Sequence, residues 1–325
     1  MTAVVVATVT GVAAGLAVGY VLQRSQLCFH AMFAGVIQRR YLLLRGWLLA
    51  VAVASVGLSL LFATSLGDGL NRGLAFTPVS NVVGGLVVGV GMAVARSCVS
   101  GLFYKLGSGM LGASVGVAGW VVGELAARGV RLPGPTLLPG GDPATIPGVL
   151  GVPRLAVALA FLAVVLLVLR SRPAREGTEH SWQWGWTRTG VALGLVTVAA
   201  WALAGLGGSS FGPSTVGASA SVAAGRPNWW LLAFLAGIVG GALVAARSAG
   251  GWWVRGEAGP RYRQLAAGGF LLGAGGWIAG GCNLGHGLSG VAQLNVSSFV
   301  VVAAIVGGIA AARRLQRSPA VAAST

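Results

Sequence analysis

Cys28, Cys98 and Cys282 each follow a long apolar stretch, where it gives way to a Gly- or Ser-rich turn and a new short helix is predicted to begin. A helix start gathers unpaired backbone N–H groups and the positive end of the helix dipole, so it attracts anions without carrying a full charge. A neutral thiol adds a weak S–H donor and a soft, polarizable surface. Three such places in series would hold a sulfur-bearing anion weakly enough to let it go again, which passage requires. A single cysteine in apolar surroundings is ordinarily a small hydrophobe. That reading explains any one of these cysteines, but not why all three stand at helix breaks.

Two of the three are related by an internal repeat. Residues 84–101 read GGLVVGVGMAVARSCVSG and residues 268–285 read GGFLLGAGGWIAGGCNLG, with Cys98 aligned on Cys282. The glycine matches weigh little in a chain with 55 glycines, but a match of cysteines does, because there are only three. A repeat that carries a rare side chain to the same place in both halves points to a membrane transporter built from two related units.

Other polar residues cluster around these breaks. Arg24, Arg96 and Lys105 could draw an anion toward an inner vestibule or anchor helix ends at the headgroups. His30 and His286, close to Cys28 and Cys282, could donate to an anion, carry a proton, or simply cap and pack. Asn283, beside Cys282, joins the same candidate path. Ser209 and Ser210, with Ser214 and Thr215, fill the slot in the second half that matches the Cys28 piece. Their hydroxyls could replace the missing thiol, or serve the turn. Glu124 is the one acidic residue in a predicted span, and Arg128 four residues on favours a helical salt bridge. Trp182, Trp184, Trp186, Trp229, Trp230, Trp252 and Trp253 fall at predicted interfaces and read as an aromatic belt.

The elements that position these residues follow from composition. The chain is 55% hydrophobic and 9% charged, against about 25% charged in a soluble domain. Its mean hydropathy is +0.82. The prediction is an all-α polytopic membrane protein, a single transmembrane domain over 1–325. Nine spans are expected near 3–22, 43–66, 79–97, 109–128, 154–170, 188–206, 229–247, 264–281 and 294–312. Four shorter pieces, at 25–38, 98–106, 207–221 and 282–291, are too short to cross and too apolar for ordinary loops, so they read as re-entrant helices.

Positive charge sets the orientation. With the N-terminus outside, Arg39, Arg40, Arg45, Arg170, Arg172, Arg175, Arg188, Arg247, Arg255, Arg261, Arg263, Arg313, Arg314 and Arg317 all fall on the cytoplasmic side. Only Arg72, Arg128, Arg131, Arg154 and Arg226 remain outside. Five crossings then separate Cys98 from Cys282, which makes the halves inverted. Residues 1–128 form the first half and 188–312 the second. Residues 129–187 hold an outer loop, a central fifth span and a cytoplasmic loop, and 313–325 form a cytoplasmic tail. The Pro- and Gly-rich stretch after 129 reads as an outer connection rather than a lid.

Several classes are disfavoured. The formal charge of +16 invites a nucleic-acid reading, but the basic residues sit in short clusters between apolar runs, without interleaved stacking platforms. Three isolated cysteines supply neither a disulfide framework nor metal-ligand spacing, and no cofactor is expected. A membrane thiol–disulfide oxidoreductase would want paired cysteines, and none are close in sequence. No GxxxxGK[ST] loop is present for ATP. The first apolar segment lacks the basic start of a cleavable signal.

The motifs QRSQLCF, ARSCVSGLFYKLGSG and GGCNLGHGLSG together resemble the YeeE/YedE membrane family, whose characterised members take up thiosulfate, and the resemblance runs nearly the whole length. It implies an hourglass of nine spans and four short inward helices in a bacterial inner membrane. It also implies that Cys28, Cys98 and Cys282 hand thiosulfate inward through S–H hydrogen bonds, and that a small cytoplasmic sulfur carrier of the TusA type is a possible partner. One departure is that Arg96 and Ser97 precede Cys98, where family members often carry Gly-Gly. This departure leaves a different sulfur or selenium compound open as cargo.

Overall fold

In the computed structural model, residues 1–172, 178 and 180–317 are described. Arg175, the tail from 318 and the Arg317 side chain lie outside that set. The described residues are helical, with only isolated β-bridges. In chain order the helices are α1 (Thr2–Ser25), α2 (Phe29–Ile37), α3 (Leu42–Leu61), α4 (Pro78–Ala95), α5 (Val99–Gly107), α6 (Gly112–Ala127) and α7 (Ile146–Leu150). They continue with α8 (Arg154–Ser171), α9 (Trp186–Leu206), α10 (Ala218–Ala223), α11 (Trp229–Ser248), α12 (Gly259–Ala279) and α13 (Val296–Arg317). Seven of them, α1, α3, α4, α8, α9, α11 and α13, are long and apolar enough to cross a bilayer. This is a multi-pass membrane protein. Helix α6 has 16 residues, and α12 opens on Arg261 and Arg263, so neither joins those seven.

Four long helices end in the same way. Gln26, Arg96, Gly208 and Gly280 take left-handed conformations. The amide one residue later reaches back five residues in each case: Leu27 to Leu22, Ser97 to Met92, Ser209 to Ala204 and Gly281 to Gly276. These are Schellman-type turns, which satisfy carbonyls left open by the ended helix. The short segments close with a second such turn, at Arg39, Gly109, Gly225 and Leu294, again with a bond back five residues. In two of the segments the content departs from expectation. Between 207 and 221 only α10 is helical, because Gly207, Gly208, Gly212 and Pro213 oppose an earlier start. After Cys282 the chain forms a π-helical turn, Gly285–Gly290.

The two repeat segments meet face to face. A side chain on Gly84 would strike Ala279, and one on Gly268 would strike Ala95, its repeat-equivalent contact. Likewise Gly91 abuts Leu271 and Leu272, while Gly275 abuts Val87 and Val88. Reciprocal contacts of this kind are what a two-fold relation between the halves produces. The four largest other pairings match in the same way: α1 packs on α11 as α9 packs on α3, and α12 on α6 as α4 on α13. Helix α8 packs mainly on α3, outside this scheme.

Charged residues gather at two ends. Arg154 donates to Asp142 and to the Arg72 carbonyl, within the set predicted outside. At the other end Arg45 donates to the carbonyls of Leu169 and Arg172, Arg313 to Ala34 and Arg261 to Ala95. The 129–153 connection is fastened to the first group: Gly141 bonds Gly73, and Ile146 bonds Leu294. Of the predicted belt, Trp184, Trp186, Trp252 and Trp253 lie under arginines. Trp230 does not belong there, since it is buried and stacked on Phe234 where α1 and α11 cross.

The expected Glu124–Arg128 salt bridge is also corrected. Glu124 is wholly buried, and its Oε1 accepts from the amides of Gly217 (2.8 Å) and Ala220 (3.2 Å) at the start of α10. Two orphan amides facing it within the protein outcompete one solvent-side arginine. Glu124→Ala should therefore destabilise the protein by about 1–3 kcal/mol, the cost of leaving buried amides unpaired. Glu124→Gln, whose amide oxygen still accepts, should retain most of the stability in thermal unfolding of the detergent-solubilised protein.

Candidate functional site

Each cysteine stands two residues beyond a left-handed turn, so the preceding helix ends and its neighbour begins at the thiol. Cys28 is the N-cap of α2 and Cys98 the N-cap of α5, where its sulfur accepts from the Gly101 amide at 3.2 Å. Cys282 opens the last short segment, its carbonyl accepting from His286 and its sulfur from the Leu284 amide at 3.3 Å. All three thiols are free and buried.

The fold brings the first two into contact, Sγ to Sγ at 3.7 Å, although 70 residues separate them. Gly101 permits this: a Cβ there would lie 2.6 Å from Ser97 Oγ and 3.1 and 3.3 Å from the sulfurs of Cys98 and Cys28. From Cys98 the polar thread continues to Ser100 Oγ (3.4 Å), which accepts from Asn283 Nδ2 (3.0 Å). Asn283 adjoins Cys282, whose sulfur accepts from Thr215 Oγ1 at 3.0 Å. Asn283 Oδ1 is buried with no partner among the described residues.

A cavity lies at each end of this thread. At the Cys28 end, a space of about 870 Å³ is lined by Cys28, His30, Arg40, Arg96, Tyr104, Lys105 and neighbours. At the Cys282 end, a space of about 250 Å³ is lined by Asn71, Ser209, Ser210, Ser214, Asn228 and Gly285 among others. Ser214 precedes Thr215, so the thread ends next to this second cavity. Between the cavities the thiols are closed off, Cys98 and Cys282 having no exposed surface.

The other candidates separate clearly. His30, Arg96 and Lys105 share the larger cavity, and Lys105 donates to Ser97 Oγ at 3.3 Å. Arg24 is not among its lining residues; its guanidinium lies over Trp184 and its carbonyl accepts from that residue's amide. Ser209 and Ser210 line the smaller cavity without reaching a thiol. Ser209 donates to the Phe211 carbonyl, and the hydroxyl that meets Cys282 is that of Thr215. Both nitrogens of the His286 ring are engaged by protein. Nε2 donates to the Ala279 carbonyl (3.0 Å), which can only accept, and Nδ1 pairs with Ser298 (2.9 Å). Ser100 and Tyr104 escaped the sequence reading. Ser100, two residues after Cys98, resembles a turn residue, and only the crossing of α5 with the Cys282 segment reveals its partner.

Residues 24–311 match the sulphur transport family. The chain belongs to that family. It is 31% identical to the thiosulfate transporter TsuA of Spirochaeta thermophila over 323 residues, covering 90% of this chain and 93% of that protein. It is 26% identical to the thiosulfate transporter TsuA of Escherichia coli over 325 residues, covering 92% of each chain. Both relatives are transporters rather than enzymes, and all three motif cysteines of this family member fall within the matched residues.

The sulfur contact makes a chemical prediction. Mild oxidation of the purified protein with diamide should join Cys28 to Cys98 and leave Cys282 free, as read by mass spectrometry of alkylated peptides. Gly101→Ala, which forces the two sulfurs and Ser97 apart, should slow that joining by about tenfold or more.

Proposed function

We propose that this protein imports thiosulfate, or a close reduced-sulfur anion, through a bacterial inner membrane by passing it along Cys282, Cys98 and Cys28. The observation that carries this reading is the run of neutral polar groups between two cavities: Thr215 bonds Cys282, its chain neighbour Asn283 bonds Ser100, and Ser100 leads to Cys98 and Cys28. Relatives named as thiosulfate transporters supply the cargo class.

In this reading nine helices cross the bilayer and four short segments re-enter from the two sides, giving an hourglass built from inverted halves 1–128 and 188–312. The paired left-handed turns and the reciprocal α4–α12 contacts support it. The N-terminus lies outside and the tail in the cytoplasm, in accord with the arginine distribution. The smaller cavity is then the outer mouth, and the larger one, with Arg40, Arg96 and Lys105, the inner vestibule. The vestibule is suited to a cytoplasmic sulfur carrier of the TusA type, which would consume the anion as it emerges. Consumption matters, since a dianion entering against an inside-negative potential meets about 4.6 kcal/mol per 100 mV.

The Cys28–Cys98 contact also favours a second reading, a thiol–disulfide relay to a partner. In it Cys28 and Cys98 form a disulfide as a partner's disulfide is reduced to two thiols, and a second partner's dithiol, itself oxidised, restores them; thiol counting during uptake would detect the cycle. The transport reading is tested by uptake of labelled thiosulfate in cells lacking other routes. Cys98→Ala and Cys282→Ala should each lower uptake at least about tenfold, equivalent to one lost contact of ~1.4 kcal/mol, and Cys28→Ala should lower it as well. Full uptake in all three variants would remove the thiols from the path.

A further inference from the structure

Cys98 and Cys282 are held in matching ways that the relay by itself does not require. Each sulfur accepts a backbone N–H, from Gly101 at 3.2 Å and from Leu284 at 3.3 Å. Each also touches one buried hydroxyl, Ser100 for Cys98 at 3.4 Å and Thr215 for Cys282 at 3.0 Å. The direction of these hydroxyl bonds follows from their other partners. The Asn283 amide can only donate through Nδ2, so Ser100 Oγ accepts from it at 3.0 Å and has its own proton to give to Cys98. Thr215 donates to Cys282 directly.

A thiol sulfur is a weak acceptor with two lone pairs and carries one proton. When an N–H and an O–H both point at the sulfur, its accepting side is filled. The remaining valence is the S–H, which must turn away from both donors; at Cys98 the Cys28 sulfur, 3.7 Å away, is the acceptor left to it until an anion takes that place. Accepting two bonds also polarises that S–H and improves it as a donor.

We propose that Ser100 and Thr215 are positioning residues that aim the S–H groups of Cys98 and Cys282 at the passing anion. The proposal rests on the thiol path described above and adds the element that orients it. Each hydroxyl comes from the same part of the chain as its cysteine, but by a different route. Ser100 follows its own cysteine by two residues, whereas Thr215 comes from the stretch before α10 and reaches a cysteine 67 residues later. The hydrogen bond that the Asn283 side-chain amide donates to Ser100 Oγ ties the two thiol sites together, so the orientation of one depends on the segment that carries the other.

The test uses full-length protein in liposomes, with labelled thiosulfate uptake and the infrared S–H stretching band measured on the same preparations. Thr215→Val keeps the shape and removes the hydroxyl. It should raise the KM for uptake about tenfold, the usual effect of one lost buried hydrogen bond, and move one S–H band toward the frequency of an unbonded thiol. Thr215→Ser should recover both to within about twofold, and Ser100→Ala should move the band of the other thiol. A Thr215→Val protein with unchanged kinetics and an unchanged band would overturn the proposal. So would a Thr215→Ser protein as impaired as Thr215→Val, because the methyl group would then be what matters. If the wild type takes up no thiosulfate the transport reading fails, and the band shifts still decide whether the hydroxyls hold the thiols.

Discussion

A helix that stops inside an apolar body must find partners for its open carbonyls, and the helix that follows must find them for its amides. Much of this structure answers that demand four times over. The carbonyl side is met by backbone alone, through left-handed residues at 26, 96, 208 and 280 and their bonds back five residues. The amide side is met by whatever side chain stands at the new start. At α5 that is the Cys98 sulfur, and at α10 it is the Glu124 carboxylate reaching over from α6. The same vacancy thus recruits a thiol in one place and a buried acid in another. Sulfur leaves an N-terminus neutral and still able to donate, whereas a carboxylate closes it to anions. On the proposed path, that difference separates the helix starts that meet cargo from the one that is fixed as scaffold.

The site then depends on how closely α4 and α12 approach. Gly84 and Gly91 on α4 meet Gly268 and Gly275 on α12 with no room for a Cβ, and the same helices deliver Cys98 and Cys282 from opposite ends of that seam. Because each helix breaks just beyond the seam, the two cysteine turns flank it, and Asn283 spans from one to the other by way of Ser100. Helix-to-helix contact of this kind relies on small residues, since lipid gives no hydrophobic force to drive apolar helices together. The abundance of glycine reflects that requirement at the seam and at the α1–α11 crossing, where Gly15, Gly19, Gly237 and Gly241 lie against backbone.

Much of this was legible beforehand. The helix breaks before Cys28, Cys98 and Cys282, His30 beside Cys28, and Arg96 and Lys105 beside Cys98 follow from local pattern, because each is written within a dozen residues. What stayed hidden is what depends on crossing geometry. Nothing in QRSQLCF and ARSCVSG shows that Cys28 and Cys98 touch, and their distance in sequence argued against a pair. Glu124 looked like the partner of Arg128 because spacing along a helix is visible in sequence, while the amides of Gly217 and Ala220 are not. Thr215 and Ser209 are both hydroxyls of one glycine-rich stretch, and only the path of the chain around Pro213 decides that Thr215 meets sulfur. Trp230 looked interfacial from its neighbours yet fills the core.

On the proposed path, neutral donors at the waist and cations at one mouth also make sense as energetics. A unit charge pair about 4 Å apart near a protein surface is worth roughly 4 kcal/mol, and more where water is excluded. Placed at the waist, an arginine would hold a dianion long enough to stop flow. Hydrogen bonds from thiols, hydroxyls and amides contribute about 0.5–1.5 kcal/mol each, so several can replace part of a hydration shell without creating a trap. The thread from Thr215 to Cys28 contains no full charge. Charge begins only beyond it, with Lys105 bonded to Ser97 Oγ beside Cys98 and Arg96 and Arg40 on the cavity wall. The anion would therefore meet progressively stronger attraction as it leaves the waist on that side, which favours exit toward the cation-lined cavity over return. An arginine or lysine at position 100 or 283 would invert that order, binding the anion where it must move fastest.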